Sequence, residues 1–318
     1  MSMRAVKQKK GGRAAGAEKP RRSARRRWDR GNERLRDTLY SMGFLGPSVL
    51  GVAVFFILPF LVVVFYSVIR SPLNPEFVGL DNFIAVLKNS SFRTAAKNTA
   101  TFSLVAVPLA VVLSLALALM LECRIPCKSL FRTFFLSPMM VPVASVVLIW
   151  QVVFHYNGTL NEILSHFGVD PVSWLNSPYC QMVIVILFLW KNLGYNMILF
   201  MAALNNIPKE LLEVADVEGA SAAHKFFNIK LRYLSPTVLF VAILSIINSF
   251  KVFREIYLLT GDYPYDGLYM MQHFMNNTFR NMDYQKMSTA AVLLALVMVA
   301  LIALLFKAED VFGKDVEG

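Results

Sequence analysis

The sequence predicts an all-α, polytopic membrane protein with six crossing helices. Three observations lead there. Of its 318 residues 56% are hydrophobic and 17% charged, with mean hydropathy +0.51, whereas a soluble domain carries about 25% charged residues. Six apolar runs approach the roughly 20 residues that a helix needs to cross hydrocarbon. None of them alternates apolar and polar residues over about ten positions, as a membrane β-strand does. Closed helices are what remain, because unpaired backbone groups are costly in lipid.

Residues 1–42 precede the first run. They hold 14 Lys/Arg and few apolar side chains, so they cannot bury enough surface to fold alone. The expectation is a disordered, basic cytoplasmic arm near anionic headgroups. It is not a cleavable signal peptide, because the apolar run that follows is too long for one. The spans are expected at about 44–69, 99–121, 134–154, 180–203, 236–259 and 287–306, judged by apolar length. Pro138 and Pro142 interrupt the third, and are expected to kink or break it. Lys251, Arg254 and Glu255 interrupt the fifth. This gives an arm at 1–42, a six-helix transmembrane domain at 43–307 with a polar loop at 205–235, and a tail at 308–318.

Orientation follows from the basic residues. Segments 123–133, 204–235 and 307–318 hold 3, 4 and 2 Lys/Arg, on the side of the arm. The opposite segments 70–98, 155–179 and 260–286 hold 4, none and 2. The positive-inside rule puts both termini in the cytoplasm. Lys191, Lys251 and Arg254 lie inside spans. Lys251 and Glu255, at i,i+4, are placed either to pair across one turn or, for Lys251, to meet an anionic solute.

Several chemistries are missing. Cys123, Cys127 and Cys180 fall on different sides of the membrane and form no disulfide framework. The four His are scattered away from any Cys pair, so no metal site is expected. Among the 21 carboxylates only Glu255 falls within a span, near its outer end, which disfavours ion-coupled transport. No GxxxxGK[ST] phosphate loop is present, so no ATP site is expected in this chain. No nucleophile–base pair suggests an enzyme. Uphill transport would need energy from a partner.

The stretch EVADVEGASAAHKFFNIKLRYLSP, residues 213–236, stands out between the fourth and fifth runs. Pro208 suits a first helical position. Glu210, Glu213 and Asp216 follow at three-residue spacing, an acidic face near a helix N-terminus. Leu211, Leu212 and Ala215 supply apolar contacts, and Gly219 can take positive φ and end the helix. Ser221 can cap a second helix bearing Phe226, Phe227, Ile229 and Leu231, after which Pro236 opens the fifth span. Two short helices joined at a glycine, with an exposed apolar ridge, are either an interfacial amphipathic element or a docking knob.

Glu213, Ala215, Gly219, Ala220, Phe226, Ile229, Leu231 and Pro236, after Ile207-Pro208-x-Glu210-Leu211, resemble the "EAA" loop of ABC importer permeases. FVGLDNF (77–83), FRTFFLSPMMVP (131–142), W-Q-V-V-F-x₃-G-x-L-N (150–161) and LLTGDYP (258–264) are similar to the maltose- and glycerol-phosphate-type sugar permeases. The resemblance covers about residues 43–306, with departures at Val214, Glu218 and Arg232. It implies a coupling helix seated in a cleft of a cytoplasmic ATPase. Glu213 would then meet a basic or polar group there, Gly219 would turn the chain, Ala215 and Ala220 would allow close approach, and Phe226 would belong to the same contact.

A sugar path needs hydrogen-bonding groups part-way across the bilayer. Asn192 and Tyr195, with Ser245, Asn248 and Ser249, are the candidates, the last three able to share one helix face at i, i+3, i+4. Asn192, Tyr195, Ser245 and Ser249 also resemble, by position, sugar-contacting sites of the maltose-type permease. The same residues serve equally as polar glue between helices. Aromatic residues at 155–179 and 260–286 are interface anchors or face an extracellular binding protein. The resemblance implies a heterodimer with a related permease, two ABC ATPases that bind ATP and Mg, an extracellular or periplasmic solute-binding protein, and a carbohydrate cargo, with no nucleic acid. The other class in play is a channel or ion-coupled six-helix carrier without an ATPase.

Overall fold

The structure, a computed structural model, describes residues 43–122 and 126–313, with side chains through Asp310. The basic arm 1–42, Cys123 and the end of the tail lie outside the described residues. Among those described the chain is helical, with one isolated antiparallel bridge, Ile69 to Phe77, and no strand. Six helical stretches are long and apolar enough to cross a membrane.

Residues 43–61 form one unit, the greater part of helix α1 (Gly43–Ser67). None of residues 43–61 is buried. That suits a helix whose apolar side chains are solvated by lipid tails. The helix widens into one π-turn at Ala53–Ile57. Pro59 follows, and a proline ring crowds the carbonyl four residues back, which a π-turn relieves.

The second unit, Val62 onward, holds the other helices. They are α2 (Asp81–Lys88), α3 (Ser90–Glu122), α4 (Lys128–Met140), α5 (Val143–Phe154), α6 (Thr159–Ser165) and α7 (Cys180–Asn205). After them come α8 (Lys209–Val217), α9 (Ala222–Thr260), α10 (Met271–Arg280) and α11 (Tyr284–Gly313). Helices α3 and α7 lie side by side at the centre. Phe102 and Phe188 meet edge to face at 5.6 Å, within a buried cluster that includes Ala106, Ala110 and Ile184. Further along, Ala118 and Leu121 of α3 pack with Met197, Phe200 and Leu204 of α7 and with Leu234 and Val241 of α9. Alanines on α3 let the helix axes approach, the usual device where no hydrophobic drive separates lipid from protein.

The break expected at Pro138 and Pro142 forms, while the bounds of several helices differ from the sequence expectation. The third crossing is broken: α4 ends at Met140, Val141 is extended at ψ 130°, and α5 restarts after Pro142. Pro138 sits inside α4, so Pro142 makes the break, consistent with the extended conformation a proline imposes on the residue before it. The long apolar stretch there runs Val143–Ser165 rather than 134–154, because α6 follows α5 after a short turn. The fifth crossing is longer than expected. Pro236 does not open it but lies inside a helix that begins at Ala222 and passes through a π-segment, Lys225–Lys230. Similarly α11 runs to Gly313, past the expected tail boundary at 308.

Two ends of this unit can be told apart. At the basic end, Lys230 donates to both carboxylate oxygens of Glu122, at 2.8 and 2.7 Å, joining α9 to the end of α3. At the opposite end, asparagine side chains tie loops to helices. Asn82 donates to the carbonyls of Ser67 and Ile69, at 3.0 and 2.8 Å. Asn161 donates to Tyr156 and Val172 and accepts the Trp174 indole N–H at 2.9 Å. These residues belong to the FVGLDNF and W-Q-V-V-F-x₃-G-x-L-N stretches, so what those motifs encode locally is loop closure.

Candidate functional site

The break between α4 and α5 leaves a gap facing α7 and α9. A cavity of about 350 Å³ occupies it, bordered by Met139, Val143, Phe188, Lys191, Asn192, Tyr195, Asn248, Lys251, Arg254 and Glu255. Small-molecule sites typically enclose about 300–1,000 Å³ with a few convergent polar groups on an apolar wall. Lys191 lies 11 residues from the start of α7, and Lys251 nine from the end of α9. At 1.5 Å per residue both sit about 15 Å along their helices from the opposite end. A larger groove of about 540 Å³ near the basic end, between α9 and α11, is lined mainly by apolar side chains such as Leu231, Val238 and Leu305. Asn228, Arg232, Ser235 and Glu309 also border it, at the basic end of α9 and α11 and away from the path candidates.

Three of the five path candidates line the cavity: Asn192, Tyr195 and Asn248. Asn248 donates to the Asn192 side-chain oxygen at 3.0 Å, and Asn192 donates to the Phe188 carbonyl at 2.8 Å. Each amide keeps unused hydrogen-bonding capacity on the cavity side. The Tyr195 hydroxyl has no hydrogen-bond partner among the described residues. Ser245 and Ser249 do not line the cavity. Both are buried; Ser245 accepts from Asn196 at 3.1 Å and Ser249 meets Ser103 at 2.9 Å. They join α9 to α7 and α3. The face expected to carry all three residues is therefore divided, because the Ser245/Ser249 row points into the helix packing and Asn248 points beside it.

The charged residues are also rearranged. Glu255 does not pair with Lys251 across one turn of α9; it pairs with Lys191 of α7. Its side chain is only 8% exposed and that of Lys191 20%, while Lys251 is exposed. A turn at Val252 interrupts the helix between Lys251 and Glu255, and the buried carboxylate takes its partner from the neighbouring helix. The second carboxylate oxygen of Glu255 is buried without a hydrogen-bond partner. Lys191 and Arg254 are the site residues that sequence reasoning passed over. The signal was present, since ionisable residues inside a span are functional candidates by default.

The hinged loop forms at the basic end. Helix α8 starts after Pro208, which takes the N-cap position rather than the first helical one. Gly219 adopts φ +75°, and the Ala220 N–H donates to the Ala215 carbonyl at 2.9 Å, closing a Schellman turn. Ser221 caps the next helix, accepting from the His224 N–H at 3.2 Å. Asp216 pairs with Lys225, bracing α8 against the start of α9. Ala215 is buried inside the chain and Ala220 half-buried. Glu213 is exposed and makes no ion pair among the described residues. Phe226 is half-buried, and packs edge to face on Phe227 with centroids 4.9 Å apart. The exposed apolar ridge is Val214, Val217 and Phe227, at 56%, 89% and 62% exposure, not the Leu212 and Ala215 side of α8. Leu212 instead packs toward the α3–α7–α9 core.

At the opposite end His273 is fully buried between Phe253 and Tyr269, and burial pushes its imidazole down to about 4 despite the nearby Asp262 carboxylate. Its Nδ1 accepts the Met270 N–H at 3.2 Å, so the ring is a neutral structural acceptor. Among the described residues no three His, Cys, Asp or Glu side chains gather as a metal site.

The family described as binding-protein-dependent transport system inner membrane component matches residues 110–317. The arabinooligosaccharides transport system permease protein AraP of Bacillus subtilis is 32% identical over 243 residues, covering 70% of this chain and 74% of that protein. The trehalose/maltose transport system permease protein MalF of Thermococcus litoralis is 33% identical over 253 residues, covering 78% and 85%. A chain in the crystal structure of a bacterial ABC transporter involved in the import of the acidic polysaccharide alginate shares the fold. Its TM-score is 0.74 at 21% identity, over 89% of this chain and 98% of that one. By the span of the family match and the coverage of these relatives, the chain belongs to the inner membrane components of binding-protein-dependent transport systems, as a multi-pass permease subunit.

Proposed function

We propose that this chain is the membrane-spanning subunit of an ATP-driven importer of carbohydrate. In this reading it couples ATP hydrolysis on partner subunits to alternating access of the cavity. The observation that carries the reading is the continuity of α9. It begins beside the Gly219 turn and, without interruption at Pro236, reaches the cavity wall at Asn248 and Lys251. At 1.5 Å per residue the 26 steps from Ala222 to Asn248 span about 39 Å. A push on the hinged loop is then delivered to the cavity by a single rod.

The remaining assignments follow from this reading. The ridge of Val214, Val217 and Phe227 docks in a cleft of a cytoplasmic ATPase, with Glu213 beside it and Gly219 setting the angle. ATP and Mg are bound by two such partners. Six crossing helices are completed by a related second permease, and a binding protein delivers solute at the opposite end, which faces outward. Asn192, Asn248 and Tyr195 contact the cargo by hydrogen bonds. The carbohydrate class is supported by the sugars that the two relatives' names specify.

Cysteines placed at Val217 and Phe227, in a chain otherwise freed of cysteine, test the docking role in vesicles that transport. The expected result is a crosslink to a nucleotide-binding protein whose yield changes with ATP. Transport in which no such crosslink forms, or transport by the isolated chain in liposomes, refutes it.

A further inference from the structure

The cavity wall carries more positive charge than a neutral sugar needs. Lys191, Lys251 and Arg254 face one carboxylate, Glu255. Lys191 is committed to that carboxylate. Lys251 and Arg254 are exposed and make no ion pair among the described residues. They lie three apart in sequence, on either side of the turn at Val252, and both border the cavity. Both are inside the Ala222–Thr260 crossing, where an unpaired charge is costly and is found facing a water-filled cavity or an ion path. The hydroxyls of a neutral sugar would be served by Asn192, Asn248 and Tyr195, and two further unpaired cations would add cost without adding a contact.

Resting on the importer reading above, we propose that the cargo is an acidic carbohydrate. Its carboxylate, sulfonate or phosphate ester is held by Lys251 and Arg254 while its hydroxyls meet the Asn192–Asn248 pair. Arginine presents a planar fork that matches such an oxyanion with two parallel hydrogen bonds, and lysine adds a mobile point charge. The charge of Glu255 is already balanced by Lys191, so it does not compete for Lys251 and Arg254. The same arrangement discriminates by charge, since a neutral analogue leaves both cations unpaired in the cavity.

Uptake in the host's own cells, with and without this chain, tests the proposal. The probes are oligogalacturonates, a sugar phosphate and a sulfonated sugar, each beside its neutral counterpart. The expected result is that deletion abolishes uptake of an acidic probe. The Lys251→Gln/Arg254→Gln variant lowers that uptake at least tenfold per molecule of chain in the membrane. The charge-preserving Lys251→Arg/Arg254→Lys variant retains most of it. Which acidic probe is lost identifies the oxyanion. Loss of neutral probes alone, or wild-type acidic uptake by the glutamine variant, overturns the acidic assignment and leaves the importer reading standing. If deletion changes uptake of neither class, the carbohydrate reading falls with it.

Discussion

Removing one member of the Lys191–Glu255 pair should destabilise the protein far more than removing both. The pair joins α7 to α9, with side chains only 20% and 8% exposed. Lys191→Met strands the Glu255 carboxylate, whose second oxygen is already without a partner. Glu255→Gln strands the Lys191 ammonium in the same way. Breaking a buried pair by deleting one partner costs about 3–5 kcal/mol, whereas replacing both with neutral groups of similar volume is often nearly neutral. At roughly 2–4 °C per kcal/mol for a domain of this order of size, each single variant should lose roughly 10 °C. The double variant should recover most of that. Thermal unfolding of the detergent-solubilised chain, followed by intrinsic fluorescence of its four tryptophans, reads the shifts. Lys251→Met is the contrast, expected within about 0.5 kcal/mol of the parent because it removes no partner. A double variant at the sum of the singles, or Lys251→Met as damaging as Lys191→Met, would refute the assignment of the pair.

Three other outcomes are expected. Asn82→Ala removes two hydrogen bonds to the Ser67 and Ile69 carbonyls and should cost about 2 kcal/mol, read as faster proteolysis of the 68–80 connection. Gly194→Ala places a Cβ against the Phe135 carbonyl, so α4 and α7 must separate; overpacking of about 1–3 kcal/mol should appear as a lower melting temperature and broader size-exclusion peak. His273 is held near 4 by burial, against 6.5 when unfolded, so the unfolded chain binds the extra proton over that window. Stability is full above about pH 6.5 and should decline by about 3 kcal/mol as pH falls toward 4, while His273→Gln should flatten that part of the curve.

Much of the architecture was legible because lipid is a demanding solvent. Run length gave the number of crossings, though not the bounds of the third, and the glycine turn with its serine cap was readable residue by residue, since such signals act over four or five positions. The side chains that matter were harder. Ser245, Asn248 and Ser249 share a spacing, yet two of them cement helices and one faces the cavity. Lys251 sits one turn from Glu255, yet the carboxylate is taken by Lys191. Ala215 resembles a docking residue and is buried in this chain, while Val214 and Val217, a departure from the motif and a residue outside it, form the exposed ridge. Each depends on which side of a helix its neighbours occupy.

By itself the sequence determined that the chain crosses a membrane on helices, that it has no phosphate loop for ATP, and that a hinged, capped loop interrupts it at Gly219. Those properties rest on run length, composition and local backbone chemistry, which need no distant partner. The tertiary structure alone decided that the loop is welded to the fifth crossing through Pro236, that a polar cavity lies beside the break in the third, and which cations there stay unpaired. Those outcomes turn on contacts between residues far apart in the chain, because a buried charge or hydroxyl settles on the nearest satisfying partner in space.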